Sequence, residues 1–468
     1  MEKSVQTGVG TPTPKSGNVV AIVVMFFIYG MIAFVTNLAA PIGTIWGNQF
    51  EGNSVLGMMG NMMNFLAYLF MGIPAGNLLV RIGYKKTALW ALAVGTIGLF
   101  VQYLSSTVGV DTVVFDYAST NALGEPVTFP ITLNFFIYLL GAFICGFCVC
   151  MLNTVVCPML NLLGGGGNRG NQLLQFGGAL NSFSGTMTPF FVGALIGVLS
   201  SDTMISAVTP LLFIGMGIFS AAFIILIFMP IPEPQGSGVS NVKYSHSPWN
   251  FRHTVLGVIG IFFYVGIEIG IPGTLNFYLA DQGANGAGVA GEASAIAGTI
   301  VALYWLLMLV GRTLSGFISG SVSSKTQLTV VSATAIVLIL LAIFIPKTAT
   351  VAVPEAIYEG GAQVPVSAFL LVLCGLCTSI MWGGIFNLAV EGLGKYTAQA
   401  SGIFMMMVVG GGVMPLIQNG IANVMGYMAS YWLVIAMLAY LLFYGLVGSK
   451  NVNTDIPVDE EAVDPRNL

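Results

Sequence analysis

CGFC at residues 145–148 returns as CGLC at residues 374–377, almost half the chain away. In a soluble protein, either copy would suggest a dithiol redox centre or half of a zinc site. Here both copies lie inside long apolar runs, where a thiol meets no aqueous reductant, and all six cysteines fall in these two runs. We therefore expect buried, inert thiols and interpret the recurrence as part of an internal repeat.

The composition excludes a water-soluble fold. Charged residues make up 7% of the chain, against about 25% in ordinary soluble domains. The apolar residues fall in long runs, and about 20 helical residues cross a hydrocarbon core of about 30 Å. We predict an all-α polytopic membrane protein of twelve transmembrane helices, with an uncleaved first span. The predicted spans 1 to 12 lie near 18–46, 55–80, 87–105, 131–163, 172–199, 208–230, 254–280, 295–321, 327–346, 367–390, 399–424 and 429–447.

Further pairs of similar segments support an organisation into two six-helix halves. AGNLLVRIGYKK (75–86) after span 2 answers SGFISGSVSSK (315–325) after span 8, and FGGALNSFSGTMTP (176–189) in span 5 answers VVGGGVMP (408–415) in span 11. This arrangement resembles the major facilitator fold, whose parallel halves each contain inverted repeats. The predicted organisation is an amino-terminal tail, a first half, a central linker, a second half and an acidic tail, at 1–17, 18–230, 231–253, 254–447 and 448–468.

Basic residues predict the orientation of the helices. With the amino terminus inside, Lys347 alone falls outside, and every other Lys and Arg falls on the cytoplasmic side or at its helix ends. This asymmetry follows the positive-inside rule. We expect both termini to be cytoplasmic in a multi-pass protein of the cytoplasmic (inner) membrane.

Four stretches carry a resemblance to the fucose permease family. IMWGGIFNLAVEGLGKYTAQASGIFMMMVVGGGVMP (380–415) resembles helices ten and eleven of that family, and FFYVGIEIG (262–270) resembles its helix seven. MLNTVVCPMLNLLG (151–164) and LNSFSG (180–185) resemble its helices four and five. The similarity covers roughly 18–447, and it implies a sugar:proton symporter for a sugar such as fucose, galactose or glucose.

Two residues depart from that family. Its members carry an acid in helix one and another in helix four, both tied to proton coupling and sugar binding. This chain has Ala40 and Asn153 at those positions. An amide can bond to a sugar hydroxyl but cannot take up and release a proton at neutral pH. Proton coupling is therefore not carried over from the resemblance.

Glu268 is the one acid predicted well inside a span. A charge at the centre of a membrane helix costs about 2.5 to 3.5 kcal/mol on insertion scales, which makes a functional site the default interpretation. We predict that Glu268 couples cation movement to transport or contacts the sugar. The alternative is a structural pair with Arg312, or a hydrogen bond to a neighbouring helix.

The residues after Glu268 favour a helix break. Gly270, Pro272 and Gly273 follow closely, and a break there would free carbonyl oxygens that suit a sugar or a sodium ion. No basic residue is predicted at mid-span, because Arg312 is expected near the cytoplasmic end of span 8. This pattern argues against an anionic solute.

Side-chain amides within the spans predict a sugar site, since they both donate and accept hydrogen bonds. Some will instead join helices. The resemblance places Trp382 near the sugar, and Tyr264 lies one turn before Glu268 on the same face. The predicted substrate-binding residues are Asn37, Asn64, Asn153, Gln175, Asn181, Tyr264, Glu268, Asn276, Trp382 and Asn387; Gln418 and Asn419 also lie within spans.

Gating is predicted to use close-packed glycines, which let helices approach and bend. One group lies in the motif after span 2, and the others lie in spans 5 and 11. The predicted gating and hinge residues are Gly76, Arg81, Gly83, Gly177, Gly178, Gly410, Gly411 and Gly412.

The favoured function is import of a hexose or small glycoside by cation-coupled symport and alternating access. The two histidines lie in the linker, and no catalytic or nucleotide-binding motif is present, so we expect no enzyme, no cofactor and no metal. Expected partners are the sugar, a proton or sodium ion, and the bilayer, with no nucleic acid, and a monomer is expected. Alternatives are a sodium-coupled or uncoupled facilitator, and a non-transporting sugar sensor, which would need a signalling domain. The external segment 106–130 exceeds a simple turn and receives no role from its sequence.

Overall fold

Six membrane-crossing units form the first half of the computed structural model. Two helices, α1 (Ser16–Asn37) and α2 (Ala39–Gln49), make span 1, and α3 (Ser54–Leu104) makes spans 2 and 3. Spans 4, 5 and 6 are α4 (Leu133–Leu163), α5 (Gly167–Ile196) and α6 (Thr209–Phe228). The structure describes residues 16–50, 54–120, 126–196, 203–229, 231, 233, 246–281, 285–290, 293–355, 358 and 361–458. Most of the predicted linker and parts of both predicted tails lie outside the described residues.

The second half repeats this plan. Spans 7, 8 and 9 are α7 (Arg252–Ala280), α8 (Ala293–Ile318) and α9 (Ser324–Phe344). Span 10 combines α10 (Val366–Ser379) and α11 (Met381–Ala389), and span 11 combines α12 (Thr397–Met406) and α13 (Gly410–Met425). Span 12 is α14 (Tyr427–Phe443).

Gly83 turns one long helix into two spans. Its backbone has φ 84° and ψ 174°, a conformation that disfavours residues with a side chain. The Glu233 carboxylate accepts hydrogen bonds from the backbone N–H groups of Tyr84 (2.8 Å) and Lys85 (3.1 Å), which begin span 3. A Cβ at Gly83 would lie 2.7 Å from that carboxylate. The glycine therefore permits both the turn and an acidic cap on the helix amino terminus.

Length and hydropathy identify ten candidate membrane spans in the described part of the chain. One of them, Leu56–Leu104, bends at Gly83 and crosses twice. Gly167–Ile196 adds a further long helix. The described residues thus form twelve helical units, the number predicted from the sequence.

Each half carries a β-hairpin between its third and fourth spans. β1 (Val113–Thr120) pairs with β2 (Pro126–Thr132), and β3 (Thr350–Val353) pairs with β4 (Ala362–Pro365), both antiparallel. The first hairpin occupies most of the segment to which the sequence assigned no role. The internal repeat therefore extends beyond the helices.

Two ends of the helical bundle are distinguished below. The terminal face carries the turns at 80–86, 164–167, 319–323 and 390–396, and the hairpin face carries both hairpins. Residues after span 12 pack on the terminal face, where the Asn453 side chain accepts from the backbone N–H of Arg252 (2.9 Å).

Close contacts between small residues, and between two aromatic rings, bring the two halves together. A Cβ at Gly76 in span 2 would lie 3.0 Å from the Cα of Gly402 in span 11. Phe176 of span 5 packs edge-to-face on Phe317 of span 8, with ring centroids 5.2 Å apart. Both contacts lie toward the terminal face. Close backbone approach of this kind is typical of helix packing in membranes.

The predicted break in span 7 is wrong. Although Pro272 lies inside it, α7 runs as one helix from Arg252 to Ala280. Interruptions occur instead at Leu38 in span 1, at Ile380 in span 10 and at residues 407–409 in span 11. The prediction that the thiols are buried is confirmed, because all six cysteines are buried and unbonded to one another.

Candidate substrate and coupling site

An ion pair lies in the interior of the bundle. Glu268 on α7 accepts a hydrogen bond from Arg312 on α8, with 2.9 Å between Oε1 and Nη2. The two side chains are only 13% and 11% exposed, respectively. Such a pair is costly to desolvate, so its position calls for additional hydrogen bonds to the remaining polar atoms.

Arg312 supplies those bonds across the boundary between the halves. Its Nη1 donates to Ser182 Oγ at 2.7 Å and to the carbonyl oxygen of Gly178 at 3.4 Å, both on span 5. Its Nε donates to the carbonyl oxygen of Ser379 at 3.3 Å. A planar guanidinium can serve several acceptors at once. The side chain therefore links spans 5, 7, 8 and 10.

Pro272 explains a second contact at this centre. A helical proline has no N–H to donate, which leaves the carbonyl oxygen four residues earlier, that of Glu268, without its usual partner. The Tyr304 hydroxyl donates to that oxygen at 3.3 Å and lies 2.9 Å from the Thr378 hydroxyl. The carbonyl oxygen freed by Pro272 is thus bonded to a tyrosine and is not open to a sugar or ion.

The interruption in span 10 lies beside the ion pair. α10 ends at Ser379 and α11 begins at Met381, so Ile380 forms the junction. Gln175 of span 5 donates from Nε2 to the Ile380 carbonyl oxygen at 2.9 Å. Together with the Arg312 bond to Ser379, this contact attaches the junction to the first half.

Aromatic side chains extend the polar centre. Tyr264 lies beside both charges, and its ring centroid is 6.3 Å from that of Trp382. The Trp382 indole N–H lies next to the Cys157 thiol, whose sulfur is 3.8 Å from the Tyr29 hydroxyl. These groups place aromatic faces and hydrogen-bonding atoms around one point between the halves.

Five of the predicted substrate-binding residues meet at or next to this point. Glu268, Tyr264 and Trp382 belong to the cluster, and Gln175 contacts the adjacent junction. Asn181 follows Gly178 on span 5 and donates to the Tyr29 carbonyl oxygen at 2.8 Å.

Two predicted residues lie within the first half. Asn153 Nδ2 donates to the Tyr68 hydroxyl at 2.8 Å. Asn64 lines a narrow gap that also contacts Gln102 and Tyr138. Neither contact includes a residue of the second half.

The other three predicted residues are spread along the bundle. Asn37 is exposed and donates to the carbonyl oxygen of Ala33 in its own helix. Asn276 is half-buried, two turns beyond Glu268 toward the hairpin face. Asn387 lies toward the terminal face, where its amide donates to Ser324 Oγ at 2.9 Å and accepts from Asn161 at 2.6 Å.

The sequence missed three residues of this centre. Arg312 lies near the end of α8 (Ala293–Ile318), as expected, and its side chain reaches Glu268 in the pair that was the alternative prediction. Ser182, Tyr29 and Tyr304 were not predicted. The serine follows Gly178 by one helical turn, a spacing that places both on one face. Nothing in the sequence pairs that face with Arg312.

Most of the predicted gating glycines occupy tight contacts, whereas Gly178 and Gly412 have ordinary van der Waals distances to their neighbours. A Cβ at Gly177 would lie 2.7 Å from the Tyr29 ring, and one at Gly178 would lie 3.4 Å from Arg312 Cδ. A Cβ at Gly411 would lie 2.6 Å from a Val265 methyl and 2.8 Å from the Phe65 ring.

Two other predicted gating glycines flank Gly411. Gly410 packs against the Phe262 carbonyl oxygen, and a Cβ at Gly412 would lie 3.4 Å from Phe65. Arg81, in contrast, is exposed.

The cluster combines one exchangeable proton site with a fixed cation. A carboxylate bound to a guanidinium can release it on protonation, whereas the guanidinium keeps its charge. Within the described ranges, no three His, Cys, Asp or Glu side chains lie close enough to share a metal ion.

The comparisons with known proteins cover most of the chain. A family model described as the Major Facilitator Superfamily matches residues 22–415. The glucose/galactose transporter of Brucella abortus biovar 1 (strain 9-941) is 29% identical over 438 residues, covering 92% of this chain and 94% of that protein. The L-fucose-proton symporter of Escherichia coli (strain K12) is 22% identical over 404 residues and 81% of each chain. A crystal structure of the E. coli symporter FucP superimposes with a TM-score of 0.73 at 16% identity, covering 93% of this chain and 100% of that one.

Proposed function

This chain belongs to the Major Facilitator Superfamily, and on that premise we propose that it imports a neutral hexose or small glycoside by cation-coupled symport. Relatives named as a glucose/galactose transporter and an L-fucose-proton symporter support the sugar and the coupling. Alternating access between two halves around a central site is the general mechanism of such transporters.

The observation that carries the proposal is the bridge from Glu268 through Arg312 to Ser182. This bridge connects Glu268, which can exchange a proton, with a hydrogen bond between the two halves. Protonation of Glu268 removes its charge and therefore its attraction for Arg312. Arg312 is then held less firmly in place, which weakens its hydrogen bond from span 8 to span 5. Proton binding is thereby linked to separation of the halves on the terminal side.

The sugar binds beside this bridge in the proposed mechanism. Asn181 and Tyr264 offer hydrogen bonds, and Trp382 offers a ring face for the apolar side of a sugar. Arg312 does not give the site a preference for anionic solutes, because the Glu268 carboxylate balances its charge. A neutral, hydroxyl-rich solute fits these groups.

We assign the terminal face to the cytoplasm. Basic residues cluster at its turns, including Arg81, Lys85 and Lys395, as the positive-inside rule requires. Contacts between the halves run from the ion pair to this face, where Asn161 binds Asn387 and Ser401 Oγ donates to the Thr154 carbonyl oxygen (3.2 Å). The described conformation is therefore the one closed toward the cytoplasm.

An uncoupled facilitator is the second candidate. Glu268 is already neutralised by Arg312, and the acids that the fucose permease family carries in helices one and four are replaced by Ala40 and Asn153. In such a protein, the pair would only hold spans 5, 7, 8 and 10 together. Sodium would substitute for the proton in a third version.

Uptake into proteoliposomes separates these candidates. Radiolabelled glucose, galactose, fucose and a disaccharide are offered with an inward proton gradient, with a sodium gradient, or with neither. Accumulation driven by protons alone, lost in Glu268→Gln but retained in the control Glu391→Gln at an exposed helix end, is the expected result. Equilibration without accumulation would identify a facilitator, and no uptake of any sugar would overturn the substrate class.

A further inference from the structure

A half-open cavity lies at the hairpin face of the first half, apart from the ion pair. Its volume is about 340 Å³, and it opens among the ends of spans 1, 3, 4 and 6. Polar lining comes from Gln49, Ser106, Asn134 and Ser206. All of the described lining residues are uncharged. These walls come from four separate parts of the sequence, which is why no local motif indicated the cavity.

Aromatic packing makes the cavity a preformed feature. Trp46, which lines it, stacks on Phe50 with centroids 5.6 Å apart and planes at 19°. Phe50 in turn stacks on Phe129 of β2 at 5.4 Å and meets Phe135 edge-on at 4.9 Å. Aromatic pairs in these geometries resist rearrangement beyond what their burial alone provides.

The first hairpin builds part of the wall. Pro130 and Thr132 of β2 both line the cavity. Pairing of β2 with β1 places Asp116 opposite Pro130 and Val113 opposite Thr132. The hairpin thus holds two lining residues over the ends of the helices, a role that the length of segment 106–130 alone did not suggest.

One polar atom in this region has no protein partner. The Trp46 side chain is 1% exposed, and its indole N–H has no acceptor within the described part of the chain. This nitrogen is itself buried away from the cavity surface, so the lining amides and hydroxyls determine what the cavity can bind.

We propose that this cavity is a second ligand site, which binds a neutral monosaccharide at the hairpin face. The volume falls at the small end of the range of about 300 to 1,000 Å³ found for ligand pockets. Amides and hydroxyls that both donate and accept suit a ligand rich in hydroxyls. The described lining residues include no cation, which disfavours a phosphate headgroup or a carboxylate. The ligand class follows from this lining and does not depend on transport through the central site.

Site-directed labelling of the full chain in nanodiscs tests the proposal. Ser206→Cys places a thiol at an exposed lining position, and the six native thiols are buried. We expect saturating D-glucose or D-galactose to slow maleimide labelling of this variant several-fold. The matched control is Asp116→Cys, exposed on β1 and outside the cavity lining, whose labelling should not change.

A second background separates this site from the central one. Protection of the Ser206→Cys thiol should persist when Trp382→Ala is added to impair central binding. Loss of protection on addition of Trp382→Ala would show that the protection comes from sugar bound at the central site, and it would overturn the proposal. Absence of protection at sugar concentrations that saturate central binding would also overturn it. Protection without any central binding would support the cavity site and count against the proposed transport function.

Discussion

Arg312 of span 8 donates a 2.7 Å hydrogen bond to the hydroxyl of Ser182 in span 5, and this bond crosses the boundary between the two halves. The same guanidinium holds the Glu268 carboxylate at 2.9 Å. One side chain therefore connects the only acid predicted at mid-span to the closure of the bundle. A substitution at Ser182 or at Glu268 should therefore affect the contact that the other residue makes with Arg312.

Ser182→Ala should weaken the closed terminal face. A hydrogen bond to a charged group contributes about 1.5 to 3 kcal/mol, so its loss should shift the equilibrium between closed and open states by about 10- to 100-fold. Ser401→Cys reports this shift, because Ser401 is fully buried between the halves. Its labelling should accelerate with Ser182→Ala and remain slow with the control Ser184→Ala. Equal rates in both would show that the bond does not contribute to closure.

The ion pair should behave as one unit in stability. Glu268→Gln or Arg312→Gln alone leaves a charge without its partner, a change that costs about 3 to 5 kcal/mol at buried sites. The double variant removes both charges and should recover much of that loss. A double-mutant cycle on unfolding in detergent measures the coupling free energy. Additive losses would contradict a direct interaction.

Asn387 and Asn181 should differ in their effect on sugar binding. Asn181 lies beside the ion pair, whereas Asn387 joins Asn161 to Ser324 toward the terminal face. Loss of a net hydrogen bond costs about 0.5 to 1.5 kcal/mol, so Asn181→Ala should weaken equilibrium sugar binding by up to about tenfold. Asn387→Ala should leave affinity nearly unchanged and alter the rate of opening. Comparable losses of affinity would restore the prediction that Asn387 contacts the sugar.

Gly411→Leu should stop exchange between conformations while the chain still folds. The new side chain would meet Val265 and Phe65 at a point just after the interruption in span 11. Gly420→Leu is the matched control, since it lies on the same helix with open space around its Cβ position. Transport should fall sharply in the first variant and stay near normal in the second. Unchanged transport by Gly411→Leu would remove this glycine from the gating mechanism.

Local pattern determined a large part of this molecule. Long apolar runs predicted the helical units, and repeated segments such as CGFC and CGLC predicted two similar halves, because both properties are written along the chain. The resemblance to the fucose permease family is confirmed by the relatives, and the transporter class by the family. Glu268 was found for the same reason: a single acid in an apolar run is visible without knowledge of its neighbours.

Tertiary structure decided what surrounds each residue. The sequence offered the Glu268–Arg312 pair only as an alternative. Hydropathy could not reveal that Arg312 also bonds to Ser182, that Tyr304 occupies the carbonyl freed by Pro272, or that span 10 is interrupted instead of span 7. It could not separate the amide of Asn181 at the centre from that of Asn387 at the terminal face. The physical reason is that a membrane helix has its backbone bonds satisfied within itself, so its sequence fixes that it forms. Which of its faces meets which neighbour depends on packing between segments far apart in the chain.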